Sequence, residues 1–473
     1  MAEQKEFIVA IELGSSKITG IAGQKKPDGS ISVLALATED SSSFIRKGVV
    51  YNIDKTAQCL SNIVKRLESQ LKTHIRQVFV GVGGQSIRGV RNTIVKDLPT
   101  DTIITAEMVS ELMDENRNMT YDDQKILEVV DQEYRVDSQL QLDPVGIRAS
   151  RLEGNYLNIL ERKSFFQNLN KCFETAGIKV VEMYVAPIEL ANVVLSEAEK
   201  RSGCALVDLG ADTTTVAVYS KNVLRHLAVI PLGGNNITKD IASLQMMEEC
   251  DAERMKLKYA SAYTDNNEID DTLKYNIDPE RSIDSRKFID IVEGRLEEII
   301  LNVRGQIPQD YYDKLLGGII LTGGGSNMKN IEKAFSYHTH FEKIRTAKFV
   351  TISINSSENA IKAHDGTMNT ALGLLAKGYV NCAGAELKST RDIFESDEEE
   401  QITEAEADKN VVSNPGVLAA EKARQEKERL EQERLEKERQ EQEAIAAAER
   451  QKKKENSFWN KIKQFSKSVI EDE

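Results

Sequence analysis

The sequence has few of the features that mark a secreted or membrane-spanning chain. It contains five cysteines with no CxxC pair, and this odd number favours a reducing compartment over a disulfide framework. Its first residues, MAEQKEFIVAIEL, lack the basic segment and the long apolar run of a signal peptide. No stretch approaches the roughly 18 apolar residues that a spanning helix needs. Any membrane contact is therefore expected to be peripheral.

Basic residues are fewer than acidic residues in this chain. The 473 residues include 62 lysines and arginines against 76 aspartates and glutamates, which gives a net charge of −14. This acidic balance disfavours nucleic acid as a partner of the folded body. The length is sufficient for two or three domains with a large core.

The composition changes near residue 388. Before it, apolar runs alternate with glycine-containing turns and amphipathic stretches, which is typical of an α/β body. After it come an acidic run, the chain breaker Asn414-Pro415-Gly416, and a Glu/Lys/Arg-rich stretch at 421–454. That stretch has too few large apolar residues for heptads, so we predict a solvated helical spacer. A dimeric coiled coil is the less favoured alternative.

The last segment, residues 457–473, has a different pattern. On a helical wheel its apolar side chains fall within an arc of roughly 140°, with lysines at or beyond the borders of that arc. A basic helix with aromatic anchors is typical of the membrane interface, and its lysines suit anionic lipid. Docking on the body or in a groove of another protein is the alternative. The predicted membrane-contacting residues are Phe458, Trp459, Ile462, Phe465, Val469, Lys461, Lys463 and Lys467.

This terminal helix should bind weakly as a single copy. Each buried apolar side chain contributes about 1.5–3 kcal/mol, whereas ordering the backbone costs about 1–2 kcal/mol per residue. We therefore expect reversible binding by one copy, and much firmer binding by several copies joined in one polymer.

Two predicted hairpins repeat one pattern at distant points of the chain. Strand 7–13 runs into Gly14, and strand 205–209 runs into Gly210. Each hairpin has an acid before its glycine, Glu12 or Asp208, and hydroxyl side chains after it. Such tips present N–H groups and hydroxyls that suit phosphate oxygens. Two facing hairpins could clamp a phosphate chain, and the acids could hold Mg²⁺ through water.

A third element is the glycine-rich segment that follows a predicted buried strand at 317–322. Its triplet, Gly323-Gly324-Gly325, lets a backbone pass close to a ribose or base. We expect it to open onto a helix, whose N-terminus would favour an anion. The spacing matches neither a Walker A loop nor the dinucleotide-binding fingerprint.

These three elements, in this order, resemble the actin, Hsp70 and sugar-kinase superfamily, and within it the FtsA family of bacterial cell-division proteins. The resemblance covers about residues 5–388 and 457–470. The features that carry it are Gly48-Val49-Val50 with Asp54, residues 231–235 with Asp240, the insertion after the first hairpin, and the terminal amphipathic helix.

The resemblance implies an α/β, actin-like two-lobed ATPase fold with an FtsA-type inserted subdomain, followed by a charged linker and a C-terminal amphipathic helix. The implied segments are subdomain 1A at 1–84, 163–203 and 375–388; the inserted subdomain 1C at 85–162; lobe 2 at 204–374, with 2B at about 240–310; the linker at 389–456; and the membrane-targeting helix at 457–473.

The resemblance also implies a site for ATP and Mg²⁺. The residues carried over by position are Glu12, Gly14, Ser15, Ser16, Lys17, Asp208, Gly210, Thr213, Thr214, Glu253, Lys256, Gly323, Gly324 and Gly325. Glu12 and Asp208 would hold Mg²⁺ through water. The i,i+3 spacing of Glu253 and Lys256 is equally consistent with a surface ion pair. Residues 369–373 resemble the second hinge, where small residues let the two lobes pack closely.

The sequence departs from the superfamily pattern at two positions. Ala211 and Asp212 replace a usual Gly-Gly, and a carboxylate there would repel phosphate unless Mg²⁺ or an outward orientation relieves it. Ala186 stands where MreB and Hsp70 have the glutamate that positions the attacking water, and Glu189 lies a turn too far along. We therefore expect at most a weak ATPase, with ATP acting as a switch.

The resulting hypothesis is a cell-division adaptor that polymerises and tethers FtsZ to the cytoplasmic face of the membrane at the division site. Its expected partners are the FtsZ C-terminal peptide, anionic inner-membrane lipid, further copies of itself and other division proteins. An MreB-like or PilM-like scaffold is the near alternative. A sugar kinase is less favoured because it has no use for a lipid-binding tail, and a chaperone ATPase would need a substrate-binding domain after residue 388.

Overall fold

The computed structural model describes residues 6–277 and 281–386. The linker and the terminal helix predicted from the sequence, including Phe458, Trp459 and the tail lysines, lie outside the described residues. Within the described ranges, no helix is long and apolar enough to cross a bilayer.

Strands and helices alternate along the whole folded body. Up to residue 203 they are β1 (Ile8–Leu13), β2 (Lys17–Lys25), β3 (Ile31–Asp40), β4 (Ile45–Arg46), β5 (Val49–Val50), α1 (Ile53–Leu71), β6 (Thr73–Ile75), β7 (Val78–Val82), β8 (Arg88–Ile103), α2 (Ala106–Arg117), β9 (Gln124–Asp131), β10 (Tyr134–Val136), β11 (Gln139–Gln141), β12 (Arg148–Arg162), α3 (Lys163–Ala176), β13 (Val180–Val185), α4 (Ala186–Val194) and α5 (Glu197–Ser202). From residue 204 they are β14 (Cys204–Leu209), β15 (Thr214–Ser220), β16 (Val223–Ile230), α6 (Gly234–Gln245), α7 (Glu249–Tyr259), β17 (Lys274–Asn276), β18 (Ser282–Asp284), α8 (Ser285–Gln306), β19 (Gly318–Thr322), α9 (Ile331–Thr339), β20 (Ile344–Thr346), β21 (Ile354–Asn355), α10 (Asn359–Lys362), α11 (Asn369–Lys377) and β22 (Ala383–Glu386).

The first lobe is built on a six-stranded sheet in the order β13-β7-β1-β2-β3-β21. Helix α1 begins after Asn52, whose side chain accepts a hydrogen bond from the Lys55 N–H and so caps the helix. Its fully buried face includes Leu60, Ile63 and Leu67. A Cβ atom at Gly20 of β2 would lie 2.4 Å from Ile63, so glycine allows this helix to approach the sheet closely.

The second lobe uses strands β14, β15, β16, β19 and β20 of a ten-stranded sheet. Both faces of its central strands are buried, since Leu206 and Ala217 join the core of the first lobe while Val207 and Val216 join the core around α8. This two-sided burial explains why these strands are near-continuous apolar runs instead of alternating ones.

The inserted region between β7 and α3 contains β8 to β12 and α2. Strands β11, β10, β12 and β8 continue the ten-stranded sheet, and β9 pairs with β12. Its own small core includes Leu112, Leu152 and Tyr156, all almost fully buried. Strand β8 pairs with β16 of the second lobe through Arg88 and Ala228. The inserted region thus meets the second lobe at a narrow point of the sheet.

A buried ion pair reinforces that junction. The Arg225 guanidinium, 5% exposed, donates to Glu133 Oε1 at 2.7 Å and to Gln132 Oε1 at 3.0 Å. The Gln132 amide in turn donates to the Leu224 carbonyl at 2.9 Å. These bonds fix the inserted region against β16.

Candidate functional site

The two hairpins predicted from the sequence share one turn geometry. In the β1–β2 hairpin the Gly14 N–H donates to the Lys17 carbonyl at 3.0 Å, and in the β14–β15 hairpin the Gly210 N–H donates to the Thr213 carbonyl at 2.9 Å. A Cβ atom at Gly14 or Gly210 would lie 2.7 or 2.8 Å from that same carbonyl oxygen. The turns therefore need glycine at this position, which accounts for the repeated pattern.

Parallel strand pairing brings each hairpin to the carboxyl end of its sheet, and it places the glycine-rich segment beside the second hairpin. Asp208 of β14 pairs with Thr322 of β19, so the glycine triplet emerges beside the second hairpin. In the first lobe Glu12 of β1 pairs with Gly81 of β7. Ligands commonly bind beyond the carboxyl ends of parallel strands, where loops of this kind meet.

Every ATP-binding residue predicted from the sequence lines one cleft between the lobes. Its volume is about 990 Å³, at the upper end of the size typical of small-molecule sites. The predicted residues that line it are Glu12, Gly14, Ser15, Ser16, Lys17, Asp208, Gly210, Thr213, Thr214, Glu253, Lys256, Gly323, Gly324 and Gly325. Their juxtaposition supports the predicted nucleotide site, although ligand binding itself stays a prediction.

The two acids, Glu12 and Asp208, are buried in a way that disfavours their charged forms, and a bound cation would offset this effect. Burial, followed by the nearby Asp208 carboxylate, raises the pKa of Glu12 to about 7, against the opposing effect of Lys17. Burial raises the pKa of Asp208 to about 6. When no cation is bound, these raised pKa values favour the protonated, neutral forms of both carboxyl groups.

This donor set fits Mg²⁺ held largely by water. Among the described residues, no group of three or more His, Cys, Asp or Glu side chains could hold a metal ion. Mg²⁺ keeps several water ligands and is commonly bound through one or two carboxylates and substrate phosphates. Glu12 and Asp208 therefore fit such an ion when phosphate is present.

Sequence reasoning missed two threonines that face these acids. Thr19 lies directly opposite Glu12 in the β1–β2 register, and Thr215 lies opposite Asp208 in β14–β15. Both line the cleft, and within the described residues the Thr19 Oγ1 atom is buried without a hydrogen-bond partner. An unpaired buried hydroxyl is unfavourable, so Thr19 is suited to a polar ligand or water in the cleft. Counting cross-strand register from the hairpin tip would have identified both residues.

The glycine-rich segment differs from the prediction in one respect. The triplet opens onto a short 3₁₀ helix that begins within it at Gly324 and ends at Asn327, and the α-helix α9 begins only at Ile331. The helix-dipole contribution expected here is therefore unsupported. Gly323 itself has a φ of 81°, which favours glycine.

Glu253 and Lys256 of α7 form an ion pair and also line the cleft. Their Oε2 and Nζ atoms are 2.7 Å apart. The Lys256 ammonium also donates to the Gly234 carbonyl at 3.1 Å and to the Thr238 hydroxyl at 2.9 Å, both on α6. The ion pair and a place in the predicted nucleotide site, the two interpretations left open by the sequence, are therefore compatible.

Ala186 places an apolar side chain in the cleft where the resemblance leads us to expect an acid. Ala186 lines the cleft at the start of α4. Glu189 is 3% exposed, accepts a hydrogen bond from Asn192 at 3.1 Å and pairs with Lys377 at 3.5 Å. The Glu189 carboxylate therefore already has two partners within the protein.

Comparison with known proteins assigns these features to one family. The family model described as cell division protein FtsA matches residues 205–373, and the model described as SHS2 domain inserted in FTSA matches residues 84–160. The cell division protein FtsA of Porphyromonas gingivalis is 32% identical over 337 residues, which cover 70% of this chain and 70% of that protein. The chain belongs to the FtsA family.

Further comparisons agree with this assignment. The FtsA of Neisseria meningitidis is 30% identical over 371 residues, 74% of this chain and 89% of that protein. The solved PilM-PilN type IV pilus biogenesis complex gives a TM-score of 0.54 at 16% identity, covering 78% of this chain and 97% of that chain. This likeness shows the fold alone. The expected actin-like α/β fold is confirmed, and this FtsA family member is an actin-like cell-division protein.

The raised pKa of Glu12 predicts how the stability of this FtsA family member depends on pH. Between its ordinary value of 4.5 and about 7, Glu12 keeps in the native state a proton that the unfolded chain has lost. Stability without nucleotide should therefore fall as pH rises through this window. Glu12→Gln removes this titration and should raise the free energy of unfolding at pH 8 by about 1–3 kcal/mol.

Thermal melting of the nucleotide-free protein from pH 5 to pH 8 checks this expectation. Asp208 and Glu161, with pKa values raised to about 6 and about 7 by burial, still titrate in the variant, so the pH slope shrinks without vanishing. Glu197→Gln, at an exposed position on α5, is the matched control. Identical pH slopes for the Glu12→Gln variant and the parent chain would contradict the assignment.

Proposed function

We propose that this FtsA family member binds ATP with Mg²⁺ in the cleft between its lobes and uses the nucleotide as a switch for polymerisation. The observation that carries this proposal is the convergence of two matched hairpins and the glycine-rich segment on one cleft. The hairpin tips would hold the phosphates from both lobes, and a ligand held from both sides favours the closed arrangement.

Each lobe would contribute a distinct part of the nucleotide site. Ser15, Ser16 and Lys17 of the first lobe would contact the phosphates opposite Thr213 and Thr214 of the second. Mg²⁺ would supply positive charge between the phosphate oxygens and the two acids. The glycine triplet with Glu253 and Lys256 would hold the adenosine end.

Hydrolysis is proposed to be slow or absent. Phosphoryl transfer to water needs a group that orients the attacking water. Ala186 lacks any polar side-chain atom, and the Glu189 side chain is bonded to Asn192 and Lys377. We therefore infer a nucleotide-gated scaffold with at most weak ATPase activity.

The membrane and partner roles rest on sequence features outside the described residues and on the family. The terminal helix would hold anionic lipid on the cytoplasmic face of the membrane, and polymerisation would multiply this weak attachment. The FtsZ C-terminal peptide would dock within residues 240–310, which include α7, α8 and the β17–β18 hairpin. Other division proteins and further copies of the chain would complete the assembly at the division site.

One co-sedimentation experiment tests the proposal. The full-length protein is mixed with vesicles that contain anionic lipid, with or without Mg·ATP, and pelleting, Trp459 fluorescence and phosphate release are followed together. Trp459 is the single tryptophan, so its emission reports only the tail. We expect a blue shift that weakens with salt, more pelleting with Mg·ATP, and little phosphate release.

A chain truncated after Lys454 is the control, and it should not pellet with vesicles. An unchanged Trp459 spectrum at low salt would contradict the membrane role. Rapid multiple-turnover phosphate release would contradict the proposed scaffold and favour a working ATPase.

A further inference from the structure

The β4–β5 hairpin has a tight two-residue turn formed by Lys47 and Gly48. Arg46 pairs with Val49, and the two turn residues have φ values of 50° and 71°. Positive φ at both central residues is the geometry of a type I′ turn. Lysine adopts it at a penalty of about 1–2 kcal/mol, and such strain persists where the surroundings fix the backbone.

This turn forms hydrogen bonds with three segments that are far apart in the sequence. The Lys47 N–H donates to Asp212 Oδ2 of the second phosphate hairpin at 3.1 Å. The Gly48 N–H donates to Ser15 Oγ of the first phosphate hairpin at 2.8 Å. The Lys47 carbonyl accepts from the Gln85 N–H, just before β8 of the inserted region, at 3.0 Å. One turn thus joins both hairpins and the start of the inserted region.

The Asp212 carboxylate is oriented toward this turn. Its Oδ1 atom accepts from the Asn235 side chain at 2.8 Å while Oδ2 accepts from Lys47, so both oxygens have partners. Its neighbours Ala211 and Thr213 line the cleft, whereas Asp212 is not among the lining residues. The repulsion of phosphate expected at this position is therefore relieved by orientation.

We propose that Asp212 is a positioning residue that holds the Ser15 hydroxyl in place through the Lys47–Gly48 turn and so ties the two phosphate hairpins together across the cleft. The inference rests on the proposed nucleotide binding and adds a role for a residue that does not touch the nucleotide. Because the link runs from the second lobe to the first, its loss removes one connection across the cleft and frees the Gly48 N–H that holds the Ser15 hydroxyl. The same turn also holds the Gln85 N–H through the Lys47 carbonyl.

The affinity of the full-length protein for Mg·ATP, measured by equilibrium dialysis, tests the proposal. Asp212→Ala and Asp212→Asn remove the same charge, but only alanine lacks an oxygen for the Lys47 N–H. Alanine removes the bonds from both Lys47 and Asn235, and we expect the lost bond to Lys47 to raise the Kd about tenfold. Asp212→Asn should bind nearly as well as the parent chain. Asp212→Gly is a second acceptor-free variant with the same expected loss.

A double-mutant cycle tests whether Asp212 acts through Ser15. In a Ser15→Ala background, Asp212→Ala should add no further loss, because the hydroxyl that it positions is gone. Asp28→Ala is the matched control, since Asp28 also accepts two hydrogen bonds, both from Ser30, in a turn away from the cleft. This control should bind like the parent chain.

Other outcomes would overturn the inference. If Asp212 acts only as a negative charge near the phosphates, alanine, glycine and asparagine at this position would all tighten binding. Losses that multiply in the Ser15→Ala background would show that Asp212 does not act through Ser15. A parent chain that fails to bind Mg·ATP would instead overturn the proposed function, and this inference with it.

Discussion

Replacing Gly323 with alanine is expected to weaken the proposed nucleotide binding strongly. A Cβ atom there would lie 2.2 Å from Asp208 Oδ1 and 2.7 Å from the Leu209 carbonyl oxygen, so the second phosphate hairpin must move. The φ of 81° adds about 1–2 kcal/mol of backbone strain. Because the hairpin and the glycine-rich segment are displaced together, we expect the Kd for Mg·ATP to rise at least about a hundredfold.

Gly29→Ala separates the two causes of this effect. Gly29 has a φ of 82°, so alanine meets the same strain, but no heavy atom lies within 4 Å of its added Cβ. This control should melt slightly earlier and bind Mg·ATP like the parent chain. A Gly323→Ala variant that binds within about threefold of the parent chain would show that the close approach to Asp208 is unimportant, since threefold is under 1 kcal/mol.

Replacing Arg225 with methionine is expected to destabilise the junction between the inserted region and the second lobe. The substitution leaves Glu133 and Gln132 without their guanidinium partner, and Arg225 holds the pKa of Glu133 below its ordinary value. Removing one member of a buried pair costs about 2–5 kcal/mol. Urea unfolding should show this loss, and hydrogen exchange should accelerate in β8 and β12.

The double variant Arg225→Met with Glu133→Leu should recover most of that loss, because it also removes the carboxylate that has lost its guanidinium partner and keeps only the longer pair with Lys221, at 3.6 Å. Arg254→Met is the surface control, since its pair with Asp251 is exposed, and it should leave the unfolding midpoint unchanged. A loss in the Arg225→Met variant no larger than in this control would mean that the buried pair does not hold the junction.

The sequence predicted those parts of the site that depend on local pattern. Gly14 and Gly210 follow an acid and an apolar residue at the end of a strand, and their turns need glycine for local steric reasons. Such features repeat in sequence because they are imposed within a few residues. The family resemblance then supplied Glu253 and Lys256, and the structure places both in the same cleft.

The sequence analysis missed residues that strand pairing brings to the site. Thr19 and Thr215 lie opposite Glu12 and Asp208 within their hairpins, and only a count of the register from each turn identifies them. The helix expected after Gly325 is a 3₁₀ turn instead. A glycine-rich pattern limits which backbone angles are possible but does not choose among them.

The amino-acid sequence by itself determined the two glycine turns that follow β1 and β14 and the apolar side chain at Ala186, because these depend on short-range pattern and side-chain type, while the resemblance to the FtsA family gave the actin-like fold. Only the tertiary structure decided that the Asp212 carboxylate is oriented toward the Lys47–Gly48 turn, and that Arg225 joins the inserted region to the second lobe. Both contacts link residues far apart in the chain, and a hydrogen bond depends on atomic positions that only the packed fold sets.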